Sequence, residues 1–133
     1  MRIFVPFTNL RVETYLSVPN AILVPLKDKE HGYGKYLWER WKESQPFINV
    51  EHDVVPTQEM IKGLWECQET FCVTSYSENE GPSLLGCVKF SEKFISGTQG
   101  IFDNYPNWKT CDNNISKACL DMWHNHGVVH HVH

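Results

Sequence analysis

Apolar residues fall into short runs separated by polar, proline and glycine stretches, and the runs follow two different periods. The segments Arg2-Ile3-Phe4-Val5-Pro6-Phe7-Thr8, Ala21-Ile22-Leu23-Val24-Pro25-Leu26, Phe47-Ile48-Asn49-Val50 and Phe71-Cys72-Val73-Thr74-Ser75-Tyr76 are near-continuous. Strands covered on both faces of a sheet have this character. Between them the spacing turns helical. Leu10 to Val18 forms a short helix or turn, and Leu37, Trp38 and Trp41 recur at helical spacing between Tyr36 and Glu43, with the tryptophans assigned to the core. Lys27 to His31 is a charged loop punctuated by Gly32 and Gly34. Thr57 can N-cap a helix whose buried stripe is Met60, Ile61, Leu64 and Trp65.

Further on, Leu84 to Phe90 is an apolar segment containing Gly86, a position where backbone passes close to a neighbour. Ser91 to Ile95 reads as a helical turn and Gly97 to Pro106 as loop. Trp108 to Asp112 leads into a helix through Trp123, with Ile115, Cys119, Leu120 and Met122 or Trp123 on its apolar side. Gly127 ends that helix, and Val128 to His133 is a closing strand. Four strands alternating with helical patterns predict an α/β fold: a single domain over 1–133 built on a mainly parallel sheet flanked by helices, with right-handed crossovers and a short C-terminal strand.

Composition narrows this picture. A chain of 133 residues, 41% hydrophobic and 13% aromatic, is a folded domain with a real core. A net charge of -4 provides no broad footprint for nucleic acid. No segment approaches the roughly 20 apolar residues of a membrane span, and the N-terminus lacks a signal-peptide profile, so the expected address is cytoplasmic. The five cysteines include no Cys-x-x-Cys pair, and reduced, partly buried thiols are expected. Cys87 and Cys111 are assigned to packing. Five of the seven histidines lie in the last ten residues, interleaved with Asn125, Gly127, Val128, Val129 and Val132 as in native strand sequence.

The chemistry concentrates where the third strand ends. Glu51, His52 and Asp53 follow the apolar run directly, and Pro56 with Thr57 restarts the chain as a helix. In open α/β sheets ligands bind beyond the carboxyl ends of the strands. Two carboxylates at such a turn suit a hard divalent cation, Mg²⁺ or Mn²⁺, whose remaining waters a phosphate can replace. A solvated loop after a core strand accounts for the same tripeptide.

The ordered set of acid-x-acid after a strand, glycine loop, acid at a helix start and histidine-bearing end resembles the GT-A family of nucleotide-sugar glycosyltransferases. The similarity is to a compact, family-2-like form met in bacteriophages and bacteria. It implies a Rossmann-like GT-A domain whose acceptor lobe is trimmed or absent. By this resemblance Asp53 is a metal ligand, and Glu51, standing where the first Asp is usual, contacts the donor or a metal-bound water. Pro6-Phe7-Thr8 matches the donor-base loop, and Arg11 a position near the nucleotide. Gly81-Pro82-Ser83-Leu84-Leu85-Gly86 matches the glycine loop beside the donor sugar, with Gly86 in contact with substrate. Asp112 matches the catalytic base of inverting members, although Cys111 stands where a Glu is usual. The C-terminal metal-binding histidine is matched by His131 first and His133 second, since strand alternation puts both on one face.

The resemblance implies a glycosyltransferase dependent on Mn²⁺ or Mg²⁺. It would move a sugar from a nucleotide-diphosphate sugar to an acceptor hydroxyl with inversion. The acceptor is a modified nucleic-acid base, a glycan or a protein, nucleic acid entering only as acceptor, and the reduced lobe implies a homodimer or a partner-supplied acceptor site. Two other classes stay open: a nucleotide-sugar sequestering protein on the same fold, and a structural domain in which Glu51, Asp53 and the terminal histidines hold zinc. Plainer roles also stand beside the functional ones. Asp53 and Asp112 fit as helix caps, Gly81 as a turn residue and the histidines as a surface strand.

Overall fold

The computed structural model describes residues 1–74, 86–102, 108–126 and 130–132. The elements in chain order are β1 (Ile3–Phe7), α1 (Val12–Ser17), β2 (Ile22–Pro25), α2 (Lys29–Glu43), β3 (Phe47–Val50), α3 (Gln58–Glu66), β4 (Phe71–Val73), β5 (Cys87–Phe90), α4 (Glu92–Gly97), a 3₁₀ turn (Gln99–Phe102), α5 (Trp108–His126) and β6 (His130–Val132). Among the described residues six strands form one sheet in the order β2-β1-β3-β5-β4-β6. The α/β class is as expected, but the sheet is mixed and not mainly parallel. β1 pairs in parallel with β2 and β3, and β4 with β6, whereas β5 is antiparallel to both β3 and β4. β4 and β5 are consecutive strands and neighbours in the sheet, and the sequence from Ser77 to Ser83 between them is polar and carries none of the helical apolar spacing that a parallel crossover uses.

Alternation along the strands splits the core into two layers. Phe4, Phe47, Phe71, Val88 and Phe90 point to the face covered by α2, α4 and α5, where Trp41 packs on Phe47, Phe90, Phe94 and Phe102 with ring centroids 4.8 to 6.3 Å apart. Ile3, Val5, Ile48, Val50, Cys72 and Cys87 point to the opposite face, against Val18 beyond α1 and Ile61 and Leu64 of α3. All four residues of β3 are fully buried, as its continuous apolar character predicts. Thr57 does cap α3, its hydroxyl accepting from the Met60 N–H at 3.1 Å.

Several expectations are corrected. Helix α2 begins at Lys29 and contains Gly32 and Gly34, which were expected to lie in a loop. Its start is set by Asp28, whose carboxylate accepts from the His31 N–H at 2.7 Å. A Cβ on Gly32 would lie 3.2 Å from Leu26 Cβ, so the glycine serves the close approach of the helix to the end of β2. Gln99–Phe102, expected as loop, is a 3₁₀ turn that buries Phe102 under Trp41. On α5, Ile115 is buried and Cys119 half-buried, but Leu120 is exposed. The expected helix stop at Gly127 lies outside the described residues.

The cysteines carry the largest correction. Cys67, which caps the end of α3, is bonded to Cys72 in β4, with Cα atoms 6.7 Å apart. A helix end and the following strand bring the pair together across a short connection that a search for Cys-x-x-Cys overlooks. The bridge stands in place of the reduced thiols expected at these two positions. Beside it, Lys89 of β5 donates its ammonium to the Trp65 and Cys67 carbonyls at 2.7 and 2.8 Å, closing the C-terminal end of α3. Burial pushes the Lys89 pKa down. No helix among the described residues is long and apolar enough to cross a membrane.

Replacing both Cys67 and Cys72 by Ser should lower unfolding stability by about 2 kcal/mol, the chain-entropy value for so short a loop. Urea denaturation measures it, and an unchanged midpoint would deny the bridge a structural role. Burial also pushes the Cys87 and Cys119 thiols up to about 12. Because the thiolate is the nucleophile, both should resist iodoacetamide at pH 8 in the folded protein and react once guanidinium unfolds it, as read by peptide mass spectrometry.

Candidate functional site

Strand direction decides where the chemistry collects. β1, β2, β3, β4 and β6 run one way and β5 runs against them, so the ends of those five strands share an edge with the start of β5. At that edge the Glu51 N–H donates to the Gly86 carbonyl at 2.8 Å, and the Val54 N–H donates back to the Glu51 carbonyl at 3.1 Å, turning the chain out of the sheet. The result is a tight turn carrying half-buried Glu51 and His52 and exposed Asp53.

Next to this turn is the end of β1. The Leu26 N–H donates to the Phe7 carbonyl at 2.8 Å, tying β2's exit to β1. The Thr8 N–H donates to Nδ1 of His52 at 3.1 Å, and the Arg11 N–H donates to the His52 carbonyl at 3.0 Å. Pro6, Thr8, Leu26, Tyr33, Glu51 and His52 then enclose a cavity of about 10 Å³, on the scale of one water. Leu26 is shared with a wider cleft of about 670 Å³ between the end of β2 and α2. Its apolar floor is Val24, Pro25 and Leu26, and Lys27, Asp28, His31, Lys35 and Glu39 stand along its rim. That volume falls in the range of small-molecule sites.

Behind the cavity lies a buried polar link. Asn49, fully enclosed in β3, donates its amide to the Tyr33 hydroxyl at 2.7 Å and accepts from the Tyr36 hydroxyl at 2.8 Å. Burial holds the Tyr36 phenol well above its ordinary pKa, so it stays a neutral donor. The two tyrosines belong to α2, and Asn49 thereby seats that helix over the sheet beside the cleft. Neither Asn49 nor His52 was assigned a role from the sequence. The one available signal for Asn49 was an amide inside an otherwise apolar run, since buried amides require partners.

The structure brings together Pro6, Thr8, Glu51 and Gly86, with Asp53 on the same turn. Pro6 is buried in β1 and Thr8 is exposed on the cavity wall. Arg11 reaches the group through its backbone, while its guanidinium pairs with Glu13 at 3.1 Å. His131 stands opposite Cys72 in β6, and β5 and β4 intervene between β6 and β3. Three strand spacings, about 14 Å across the sheet, separate its backbone from β3, and the register sets it level with Ile48, short of the Glu51 turn. Asp112 is corrected in position: α5 begins at Trp108, so Asp112 lies in the second turn and is neither at the helix head nor its N-cap. Residues Gly81 to Leu85 of the glycine loop, and His133, lie outside the described residues.

Glu51 and Asp53 fit a hard cation by donor type. Mg²⁺ and Mn²⁺ sites are commonly built from one or two carboxylates with waters and phosphate oxygens completing the shell. Among the described residues no three His, Cys, Asp or Glu side chains are grouped to hold a metal by themselves. Buried Cys87, with its raised pKa, is unsuited to act as a nucleophile beside Gly86. Comparison of this chain with protein-family models, with curated proteins and with solved structures found no match.

Proposed function

We propose that the strand-tip crevice binds a nucleotide-diphosphate sugar with Mn²⁺ or Mg²⁺ and that the protein transfers the sugar to an acceptor hydroxyl with inversion. The observation that supports this most is the convergence of Pro6, Thr8, Glu51 and Gly86 at one sheet edge, with Asp53 on the same turn and an open cleft alongside. Segments distant in sequence meet there, as a ligand site needs. In this reading Glu51 and Asp53 hold the ion against the diphosphate, and Pro6 and Thr8 wall the nucleotide, whose bulk extends past Leu26 into the wider cleft. The bound ion would neutralise charge developing on the leaving diphosphate. Asp112 takes the role of base toward the acceptor hydroxyl on the strength of the resemblance. The His131 ligand that the resemblance also implies stands three strands away from the Glu51 turn, so in this reading the two carboxylates hold the ion without it.

A second reading has its own support. Cys111 in place of the usual Glu and Asp112 inside α5 favour a protein that binds a nucleotide sugar without transferring it.

Calorimetry with UDP-, GDP- and TDP-sugars, with and without Mn²⁺, separates the readings. Metal-dependent binding with slow donor hydrolysis supports transfer, binding without turnover supports the sequestering protein, and zinc affinity without nucleotide binding rejects both. Asp53→Ala should weaken Mn²⁺-dependent binding by at least about tenfold, the scale of a lost charge-assisted contact. Asp112→Asn should leave binding intact and abolish hydrolysis. Full binding by Asp53→Ala would refute the metal assignment.

A further inference from the structure

We propose that His52 is a positioning residue that latches the loop from Thr8 to Arg11 against the Glu51 turn through its Nδ1 atom, and is not itself a metal ligand through that atom. The inference deepens the reading of the crevice as a nucleotide-sugar site and rests on it for its effect on binding; the latch itself is a property of the free protein.

Both ends of the loop are fixed on one residue. The Thr8 N–H is held by the imidazole Nδ1 at 3.1 Å and the Arg11 N–H by the His52 carbonyl at 3.0 Å. The second contact matters because Arg11 occupies the N-cap position of α1 and makes no side-chain capping hydrogen bond. The first contact fixes a tautomer. An Nδ1 that accepts from a backbone N–H cannot carry a proton, so neutral His52 bears its hydrogen on Nε2. The Nδ1 lone pair is then committed to the loop and unavailable for coordination, while Glu51 and Asp53 precede and follow His52 in sequence.

The consequence is a division of labour within three consecutive residues. The acids supply oxygen donors at the turn, and the histidine between them sets where the Pro6 to Thr8 wall stands relative to those donors. His52 lines the small cavity together with Pro6, Thr8 and Glu51, so a change in its contact to Thr8 reshapes that wall directly. Loops at such positions need support from neighbouring groups to hold a site in place.

Three proteins test this: the wild type, His52→Leu and His52→Asn, the last placing an amide oxygen near the position of Nδ1. In ligand-free samples at pH 8, imidazole ¹⁵N shifts should show a pyridine-like Nδ1 and a pyrrole-like Nε2. The Thr8 amide should lose protection from exchange in His52→Leu by about three- to tenfold, the scale of one net hydrogen bond. His52→Asn should restore it, and the Arg11 amide, held by a main-chain carbonyl, should stay protected in all three. Binding of UDP-sugar with Mn²⁺ should follow the same order, weak in His52→Leu and recovered in His52→Asn. A protonated Nδ1, or a His52→Asn protein that exchanges like His52→Leu, would overturn the latch. If the amide results hold and no protein binds any nucleotide sugar, the latch stands and the ligand reading falls.

Discussion

The arrangement depends on β5 entering the sheet against the direction of its neighbours. Had it run parallel to β3 and β4, Gly86 would sit at the opposite edge, away from the tips where Glu51, Thr8 and Leu26 emerge. Reversal brings the start of β5 to the end of β3, and the Glu51 N–H to Gly86 carbonyl hydrogen bond extends the ladder one step past the strand before the chain turns out. The turn is therefore anchored on one side by the sheet and on the other by His52's contacts to the β1 exit. Two carboxylates are thus presented on a supported turn.

The platform beneath that edge is stiff for identifiable reasons. Trp41 fills the space among Phe47, Phe90, Phe94 and Phe102, and its indole N–H donates to the Thr98 hydroxyl at 3.1 Å, so a large ring is buried without an unmet polar group. Asn49 ties β3 to both tyrosines of α2 on the same face. On the other face Lys89 and the Cys67–Cys72 bridge hold the end of α3 against β4 and β5. Polar links within an apolar core are costly if left incomplete, and here they join helices to strands in pairs of contacts.

Much of this was legible in the residues. The continuous apolar run of β3, the Thr57 cap and the turn after Val50 follow from local rules, and each appears where expected. What local rules could not supply was direction and partnership. Leu84 to Phe90 looks apolar whichever way it runs, so the pattern alone predicts a mainly parallel sheet. Gly32 and Gly34 look like loop punctuation until Leu26 is seen pressed against the helix at Gly32. Cys67 and Cys72 meet only because a helix end and a strand are packed together. Nothing local marks His52, because its partners, Thr8 and Arg11, lie more than forty residues away in sequence. Of the candidate site, the residues say which carboxylates and which Pro6 to Thr8 segment to consider, while the groups that position them are products of the fold.

The central claim, that Glu51 and Asp53 on the turn beside Gly86 hold a cation at the strand tips, is tested most directly by adding Mn²⁺ to ¹⁵N-labelled protein and following paramagnetic broadening residue by residue. The account predicts that the amides of Glu51, His52, Asp53 and Gly86 broaden first, with Thr8 close behind, while Ile22 and Phe90 at the far ends of their strands stay sharp. Broadening that begins around His130 to Val132 and leaves Glu51 and Gly86 sharp would contradict it.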